Sequence, residues 1–436
     1  MEKIFLAEKP KYIKLADGVD FFELFQRIES SSENCFFLES LGEEADKTRY
    51  SIIGFDPEKL IREGENDVRY ENLIEMMPNQ TDSREYAGGL VGYMGFDLFT
   101  EFEPSLKLDR HPKFDRFLFG IYIDGLILDK QTREIVYFYH RENRFSLVET
   151  FLKIKNNKKF QTIKIKLLGY SMTKTRHAEI VKKVKREILA GNIFQCVVGI
   201  KSKYKIEGDT IEIYKKLRKI NPSPHMYYLK FGKQKIIGAS PELLFRMREG
   251  KMETFPLAGT IKRGKNEAED KQLARQLLTD PKEVAEHKML VDLHRNDIGR
   301  VAKLGTVSVK KLMEIKKFSH VQHISSEISG TIRASDTMFS ALASNFPAGT
   351  LAGAPKIEAI KILQNLAKLP RGPYGGAVGH FGFNGNCTFA IPIRTLFISG
   401  TYAFTQAGSG IVADSIAEKE YNEVLQKLKA MEEVLK

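Results

Sequence analysis

Residues 286–297 read EHKMLVDLHRND and place ionisable side chains on both sides of one short apolar run. Charged groups are costly to bury unless each has a partner. A surface helix gathers its charges on one face, and a core helix excludes them. Because this segment fits neither pattern, we interpret it as one wall of a polar site.

The residues just before this segment predict the start of a helix. Asp280 is a suitable N-cap, Pro281 suits the first helical position, and Glu283 completes a capping box. The helix then carries Glu286 one turn beyond Glu283, on the same face. Simple capping remains the alternative role for Glu283.

A second helix start near the C-terminus has a similar pattern. Ser415 and Glu418 predict another capping box, and Glu420 and Glu423 follow on one face of the helix. Two helix starts that each present a pair of glutamates supply the oxygen ligands that Mg²⁺ prefers. Exposed glutamates are common, so the pattern alone leaves metal binding, capping and simple solvation open.

The composition is that of an ordinary globular protein. The chain has 436 residues, with 42% hydrophobic and 28% charged, which suggests two or three domains. No apolar run approaches the roughly 18 residues of a transmembrane helix, and charges interrupt the apolar runs at the start, unlike in a secretory signal. The three cysteines form no CxxC pair, so neither a disulfide framework nor a zinc site is indicated. We therefore expect a cytoplasmic protein without a membrane partner.

The net charge of +12 raises nucleic acid as an alternative partner. The lysines are spread along the chain rather than gathered into patches with aromatic residues between them. This distribution favours a solvated surface, or the attraction of small anionic substrates, over nucleic-acid binding. We expect no nucleic-acid partner.

Strand patterns dominate the first part of the chain. Residues 34–40 and 48–55 are short apolar runs, and residues 117–140 predict two strands joined by a turn at 129–132. The Lys/Asn-rich stretch at 153–159 is the best candidate for a domain boundary. Strands and helices then follow in an irregular order without a βαβ rhythm, which favours an α+β fold with mainly antiparallel sheets.

Three further features indicate polar functions. The small-residue loop PAGTLAGAPK, 347–356, offers backbone N–H groups and the Thr350 hydroxyl to an anion. The segment IPIRT places Arg394 inside an apolar strand, which predicts either a bound carboxylate or an internal salt bridge. His323 is either an acid/base group or a core histidine.

Taken together, these segments resemble the chorismate-utilising enzymes, and among them the anthranilate synthase component I family. The resemblance covers about residues 170–430, and FFLES and GGLVGYMGFD extend it more weakly into the amino-terminal part. The matching segments are IFQCVVG (193–199), SPELLFR (240–246), FPLAGT (255–260), EHKMLVDLHRND (286–297), HVQHISSEISG (320–330), FPAGTLAGAPK (346–356), GPYGGAVGHFGF (372–383), IPIRT (391–395) and QAGSGIV (406–412).

The resemblance implies an α+β, two-domain α/β sandwich built on mainly antiparallel sheets. Residues 1–165 would form an N-terminal domain with tryptophan-binding elements. Residues 166–436 would form the chorismate-binding catalytic domain, with the active site in its cleft.

Two positions indicate the product within this family. Relatives that add water to the ring carry a lysine base where this chain has Gln195, which cannot deprotonate water at neutral pH. Relatives that make aminodeoxychorismate typically carry a lysine where this chain has Ala258. Ammonia itself is then the nucleophile, which implies an Mg²⁺-dependent anthranilate synthase, a lyase that makes anthranilate and pyruvate in the first committed step of tryptophan biosynthesis. Aminodeoxychorismate synthase component I, of the folate pathway, remains the alternative.

The resemblance also implies roles for individual residues. Glu242 would protonate the departing C4 hydroxyl, His323 would assist proton movement, and Gln195 would stand beside the nucleophile. Mg²⁺ would be held by Glu286 and Glu423, aided by Glu283 and Glu420. The residues expected to bind chorismate are Ala258, Gly259, Thr260, Thr350, Tyr374, Arg394, Gly408, Gly410 and Lys427.

Partners follow from the same resemblance. The cysteines lie within other motifs or an apolar strand and indicate no glutaminase site, so a separate glutamine amidotransferase subunit, anthranilate synthase component II, would supply ammonia within a heterotetramer of two large and two small subunits. Tryptophan would act as a feedback inhibitor, and His225 departs from the aromatic residue usual beside its pocket. The residues expected to bind tryptophan are Leu38, Glu39, Ser40, Pro224 and Met226.

Overall fold

The computed structural model describes residues 3–6, 9–41, 49–65, 68–78, 86–154, 162–317 and 321–436. Most of the predicted boundary at 153–159 lies outside these residues, as does the beginning of the 320–330 segment. Within the described part of the chain, no helix is both long enough and apolar enough to cross a membrane.

The described residues form twelve α-helices and twenty-two strands. The helices are α1 Phe21–Ser31, α2 Leu73–Met76, α3 Phe99–Phe102, α4 Phe145–Lys153, α5 Lys174–Leu189, α6 Ile211–Ile220, α7 Glu267–Thr279, α8 Pro281–Gly299, α9 Met338–Asn345, α10 Gly349–Ala352, α11 Lys356–Ala367 and α12 Ala417–Leu435.

The strands up to the middle of the chain are β1 Lys11–Lys14, β2 Asn34–Glu39, β3 Tyr50–Phe55, β4 Lys59–Arg62, β5 Gly89–Met94, β6 Phe117–Tyr122, β7 Asp124–Asp129, β8 Glu134–Tyr139, β9 Lys164–Tyr170, β10 Gln195–Glu207 and β11 His225–Phe231. The remaining strands are β12 Gln234–Ser240, β13 Leu243–Arg248, β14 Lys251–Thr254, β15 Leu257–Lys262, β16 Ser308–Lys317, β17 Val321–Thr331, β18 Gly353–Ala354, β19 Ala377–Gly382, β20 Cys387–Ala390, β21 Thr395–Ser399 and β22 Tyr402–Ile411.

These strands build two large sheets. The first has the order β1-β8-β7-β3-β2-β11-β12-β21-β22-β10-β18, with β9 also paired to β10. The second has the order β15-β17-β14-β13-β20-β19-β5-β6-β4, with β16 also paired to β17. Neighbouring strands run antiparallel, for example β10 with β22 and β19 with β5. The predicted α+β fold with antiparallel sheets is confirmed.

Strands from both sides of residue 165 share both sheets. In the first sheet β2 pairs with β11, and in the second sheet β5 pairs with β19. The division into domains 1–165 and 166–436 stays a prediction. The sheets themselves are continuous across it.

Residues 117–140 correct one expectation. The predicted first strand is two strands, β6 in the second sheet and β7 in the first, so the chain passes between sheets at Ile123. Asp124 and Gly125 follow Ile123 directly and are residue types common in turns, and in the structure both belong to β7. The predicted turn after Asp129 is present and leads into β8.

The main hydrophobic core lies between the two sheets. Phe36 and Phe404 from the first sheet join Phe119, Phe245 and Phe381 from the second in one cluster of buried side chains. A second cluster lies between the first sheet and helices α1, α4, α6 and the end of α12. The first sheet is thus packed on both faces, which holds in place the strands that carry the predicted site residues.

Local residue patterns account for helix α5 and for the turn that leads into strand β10. Val181 and Val184 are buried on one face of α5. Gly191 has φ +80° just beyond the helix, the left-handed conformation that glycine adopts at low cost. Strand β10 then runs beside β22, with Gly199 opposite Gly408 and Val197 opposite Gly410.

The two predicted helix starts differ in outcome. Asp280 caps α8 by accepting hydrogen bonds from the N–H groups of Lys282 and Glu283, with a proline in the first turn. At α12 the predicted capping box is wrong, because Ile416 is the N-cap residue and provides no side-chain cap. The Ser415 hydroxyl instead accepts a hydrogen bond from Val412 N, and Glu418 pairs with Lys174.

Candidate active site

Helix α8 and strand β10 meet through the side chains of Glu286 and Gln195. Gln195 Nε2 donates a hydrogen bond to Glu286 Oε1 over 3.0 Å. The Gln195 side chain is buried, and its Oε1 accepts no hydrogen bond from a described residue. A buried acceptor without a donor is uncommon, so this oxygen is available to an N–H group of a small ligand.

Glu283 lies against the bulge of β15. A Cβ atom placed on Gly259, whose φ is +64°, would lie 3.0 Å from Glu283 Oε2. Burial raises the pKa of Glu283, and the charges of Glu286 and Glu423 raise it further. Glu283 therefore faces the other glutamates. Its side chain makes no reciprocal capping hydrogen bond to Asp280 in the described chain, so only the Asp280 half of the predicted capping box is present.

Helix α12 contributes Glu423 and Lys427 to the same region. Lys427 Nζ lies 2.7 Å from Glu423 Oε1 and donates a hydrogen bond to the Gly408 carbonyl over 3.0 Å. Burial raises the pKa of Glu286, and the Glu423 charge adds to this while Lys427 opposes it. Glu420, one turn earlier, is largely buried and makes no hydrogen bond or ion pair through its carboxylate to a described residue.

The four predicted metal ligands offer only carboxylate oxygens, which suit Mg²⁺. The negative charge of Glu423 raises the pKa of both Glu283 and Glu286, and a bound cation would relieve this repulsion. Within the described ranges, however, no three acidic, histidine or cysteine side chains converge closely enough to form a ready-made metal centre. The carboxylate oxygens suit Mg²⁺, but the four glutamate side chains would have to move closer together to bind one ion.

Glu242 occupies the turn between β12 and β13 and is buried. Thr350 Oγ1, in α10, donates a hydrogen bond to Glu242 Oε1 over 2.9 Å. Burial raises the pKa of Glu242 to about 7, although Thr350 and Lys427 oppose this shift. A carboxyl group with this pKa carries its proton in a substantial fraction of molecules near neutrality, as a general acid requires.

His323 lies on β17 next to β15. Its Nδ1 is 2.7 Å from the Gly259 carbonyl and 3.1 Å from Thr260 Oγ1, so three predicted residues are brought together. Burial lowers its pKa to about 4, and the positive charges of Arg394 and Lys427 lower it further. His323 is therefore a neutral imidazole near pH 7 and a potential proton acceptor.

Arg394 differs from its prediction in one respect. It precedes β21 rather than lying inside a strand, and its φ is +50°. Burial lowers the pKa of its guanidinium, and no salt bridge joins it to an acidic group within the described chain. Of the two predicted solutions, the internal salt bridge is absent from this part of the chain. A bound carboxylate stays a prediction.

Tyr374 is buried near Glu242, and burial raises its pKa to about 12. Gly408 and Gly410, which are expected to bind chorismate, lie on β22. Ala258 is buried at the β15–β17 pairing. Lys427 influences the pKa of Glu242, Glu286 and His323, so it is a common neighbour of these three side chains.

The residues predicted to bind tryptophan also meet, at the end of β2 and the start of β11. Met226 is the register partner of Glu39, and Leu41 N donates to the Ser223 carbonyl, which brings Ser40 close to Pro224. The Glu39 carboxylate accepts hydrogen bonds from Tyr214 and Arg218. Leu38 follows in the same strand, opposite Tyr227.

Sequence reasoning missed two buried cations beside the site. Lys356 Nζ pairs with Asp297 Oδ2 over 2.9 Å, and Arg371 donates to the Leu351 and Val197 carbonyls. Asp297 and Lys356 end the segments 286–297 and 346–356, but nothing in the sequence around either residue indicates that they pair. Arg371 precedes the GPYGG segment and carries no motif signal of its own.

Comparisons with known proteins agree with this arrangement. The family described as chorismate binding enzyme matches residues 33–433. Anthranilate synthase component 1 of Leptospira biflexa is 49% identical, with 100% of this chain and 98% of that protein aligned. Anthranilate synthase component 1 of Methanothermobacter thermautotrophicus is 40% identical, with 94% and 92% aligned.

A solved structure supports the same relationship. The crystal structure of anthranilate synthase component I from Streptococcus pneumoniae has a TM-score of 0.80 at 31% identity, over 98% of this chain and 99% of that one. The chain therefore belongs to the family of chorismate binding enzymes, and within it groups with the proteins named anthranilate synthase component 1.

Proposed function

We propose that this chain converts chorismate and ammonia into anthranilate and pyruvate, as the large component of an anthranilate synthase. The single observation that carries the choice of nucleophile is the buried Gln195 amide at 3.0 Å from Glu286. An amide has no basic nitrogen and cannot activate water, whereas its free Oε1 can accept an N–H of ammonia. Ala258 supplies no amine in the second discriminating position.

In the first stage, ammonia attacks C2 of the ring beside Gln195. Its lone pair forms the new C–N bond, both ring double bonds shift by one position, and the C4–O bond breaks so that the hydroxyl leaves as water. The added nitrogen then gives up one proton to solvent. Glu242 gives the proton to that hydroxyl, and the Thr350 hydroxyl holds its carboxyl group in place over 2.9 Å.

In the second stage, the C2 proton is lost and the C3–O bond breaks, which gives the aromatic amine and enolpyruvate. Enolpyruvate takes up a proton at its methylene carbon and becomes pyruvate. His323 is the proton acceptor, because its imidazole is neutral and held at the Gly259 carbonyl. Arg394 binds one substrate carboxylate, and the backbone of Gly408 and Gly410 lies beside the ring.

We propose Mg²⁺ as the cofactor, held by Glu286 and Glu423 with Glu283 and Glu420 directly or through water. The ion would offset the charge repulsion between the dianionic substrate and the acidic residues. Without the ion, the positive charge of Lys427 offsets the negative charge of Glu423.

Ammonia is proposed to come from a glutamine amidotransferase partner in a heterotetramer of two large and two small subunits. The name component 1, carried by the relatives, supports a second component. Tryptophan is the proposed inhibitor, bound where Ser40 and Met226 meet. We place the reaction in the cytoplasm, in keeping with three free, buried cysteines.

One assay tests the function. The purified chain is supplied with chorismate, Mg²⁺ and ammonium at mildly alkaline pH, and the product is followed by fluorescence and chromatography. We expect fluorescent anthranilate with ammonium and none with glutamine alone. A non-fluorescent 4-amino product would establish the aminodeoxychorismate alternative, and activity with glutamine alone would overturn the need for a partner.

A further inference from the structure

The buried ion pair between Asp297 and Lys356 joins two helices. Lys356 Nζ lies 2.9 Å from Asp297 Oδ2, and the two side chains are only 10% and 6% exposed. Asp297 is in the last turn of α8, and Lys356 is the first residue of α11. The pair therefore ties the end of one helix to the start of another.

Neither charge stabilises its own helix. A negative charge is unfavourable at a helix C-terminus, and a positive charge is unfavourable at an N-terminus. Burial further penalises the charged form of Asp297, since it raises the pKa of this carboxyl group against the effect of Lys356. A buried pair seldom adds net stability over apolar residues of similar size. The main effect of each charge is therefore its attraction to the other, which joins the two helices.

The segment just before Lys356 contacts two parts of the proposed active site. We call residues 347–355 the Thr350 loop. Thr350 donates its hydrogen bond to Glu242, and Gly353–Ala354 pair with Gln195 and Cys196 of β10. One short loop therefore touches both the proton donor and the strand of the Gln195 amide.

The Thr350 loop is held by buried cations on two sides. Arg371 donates hydrogen bonds over 2.5 Å to the Leu351 carbonyl and over 3.2 Å to the Val197 carbonyl. Lys356 holds the far end of the loop to α8, the helix that carries Glu283 and Glu286.

We propose that Asp297 and Lys356 are positioning residues, whose ion pair fixes the Thr350 loop to α8 and so aligns Glu242 with the nucleophile side of the site. This inference rests on the proposed role of Glu242 as proton donor. Neither residue contacts the reacting atoms. Displacement of a catalytic group by about 1 Å costs on the order of 10²-fold in rate, so a modest shift of the loop is measurable.

The polar groups around Glu242 determine which of its interactions would change if the Thr350 loop moved. Among the described residues, the polar groups that interact with its carboxyl group are the Thr350 hydroxyl, the Lys427 ammonium and the Tyr374 phenol. Of these, only Thr350 is on the loop that the ion pair holds. Loss of the pair should therefore weaken one hydrogen bond to Glu242 and leave the other neighbours in place.

The test uses Lys356→Met, Asp297→Asn and the double variant in the full chain. Lys361→Met is the matched control, because Lys361 lies on the same helix and pairs with Glu358 at the surface, 3.6 Å apart. We expect each pair variant to lower kcat by about 10-fold to 100-fold with a smaller change in the KM for chorismate. The pH at which kcat is half-maximal should shift upward, since Glu242 loses the hydrogen bond that favours its charged form. Lys361→Met should match the parent protein.

The double variant separates positioning from charge compensation. It leaves no lone buried charge, so it should fold even where a single variant does not. A low kcat and a shifted pH profile in the folded double variant support the positioning role. Parental kcat and pH profile in that variant would overturn it. If the parent enzyme makes a different product, the proposed function is refuted. The positioning role can still be tested in that case, because the rate of chorismate consumption can be compared among the variants.

Discussion

Gly410 on β22 and Gln195 on β10 lie so close that a Cβ atom on Gly410 would be 2.3 Å from Gln195 Nε2. Because Gly410 has no side chain, the Gln195 amide can occupy the space beside it and reach Glu286. The nearest atoms belong to the end of a flexible side chain, so an added methyl group displaces the amide rather than the backbone.

We expect Gly410→Ala to fold and to lose at least about 10-fold in kcat with ammonium, because Gln195 leaves Glu286 and the nucleophile loses its acceptor. Steady-state kinetics and far-UV circular dichroism check this. Gly299→Ala at the end of α8 is the control, since a Cβ there meets no atom within 4 Å. Equal kcat in the two variants would show that the amide position is unimportant.

Glu242→Gln removes the proposed proton donor while keeping the size of the side chain and an acceptor for Thr350. We expect kcat to fall by about 10²-fold to 10⁴-fold, the usual worth of general acid catalysis. In the parent protein kcat should decline as the pH rises through about 7, the pKa of this carboxyl group. The profile is measured at a fixed concentration of free ammonia, so that its own titration does not obscure the effect. A parental rate in the variant would exclude Glu242 as the donor.

The same substitution should stabilise the fold at alkaline pH. Burial raises the pKa of Glu242 from 4.5 to about 7, so the folded state holds a proton that the unfolded state loses above pH 4.5. This group therefore reduces stability progressively between pH 4.5 and pH 7, by up to about 3 kcal/mol. Urea unfolding of Glu242→Gln and the parent should agree at pH 4 and differ in favour of the variant at pH 8. Equal stability at both pH values would contradict the shift.

Local sequence patterns predict the elements that local physics controls. The helical spacing of Val181 and Val184, and glycine at position 191, correspond to α5 and its end. Asp280 and Pro281 likewise mark the start of α8. The crossing at Ile123 is followed by Asp124 and Gly125, but this pair suits any turn and does not show that the chain changes sheets there.

Long-range partners are what the sequence does not reveal. Asp297 and Lys356 are 59 residues apart, and nothing local shows that they meet. Ser415 was expected to cap α12, but its hydroxyl instead accepts from Val412 N, so the helix begins after Ile416. Residue types such as Gln195 and Ala258 were informative because a family resemblance gave their positions a chemical meaning.

Glu286→Gln and Glu423→Gln test the metal assignment. We expect each to raise the Mg²⁺ concentration for half-maximal activity by about 10-fold or more, because each loses a charged oxygen ligand. The rise in melting temperature with Mg²⁺, recorded without substrate, should also weaken. Glu418→Gln is the control, since Glu418 is on the same helix but pairs with Lys174 at the surface. Normal Mg²⁺ dependence in both Glu286→Gln and Glu423→Gln would refute the assignment.

Ser40→Leu tests the proposed tryptophan pocket. Ser40 is buried where β2 ends, next to the turn that leads to Pro224 and Met226. A larger side chain there should fill space needed by an indole ring. We therefore expect Ser40→Leu to keep the parental kcat and to need at least about 10-fold more tryptophan for half-maximal inhibition, as expected for lost burial of about 1.4 kcal/mol or more. Ser31→Leu, at an exposed position at the end of α1, should be inhibited like the parent protein. Unchanged inhibition in a folded Ser40→Leu protein would place the pocket elsewhere, and a parent protein that tryptophan does not inhibit would exclude the regulatory role.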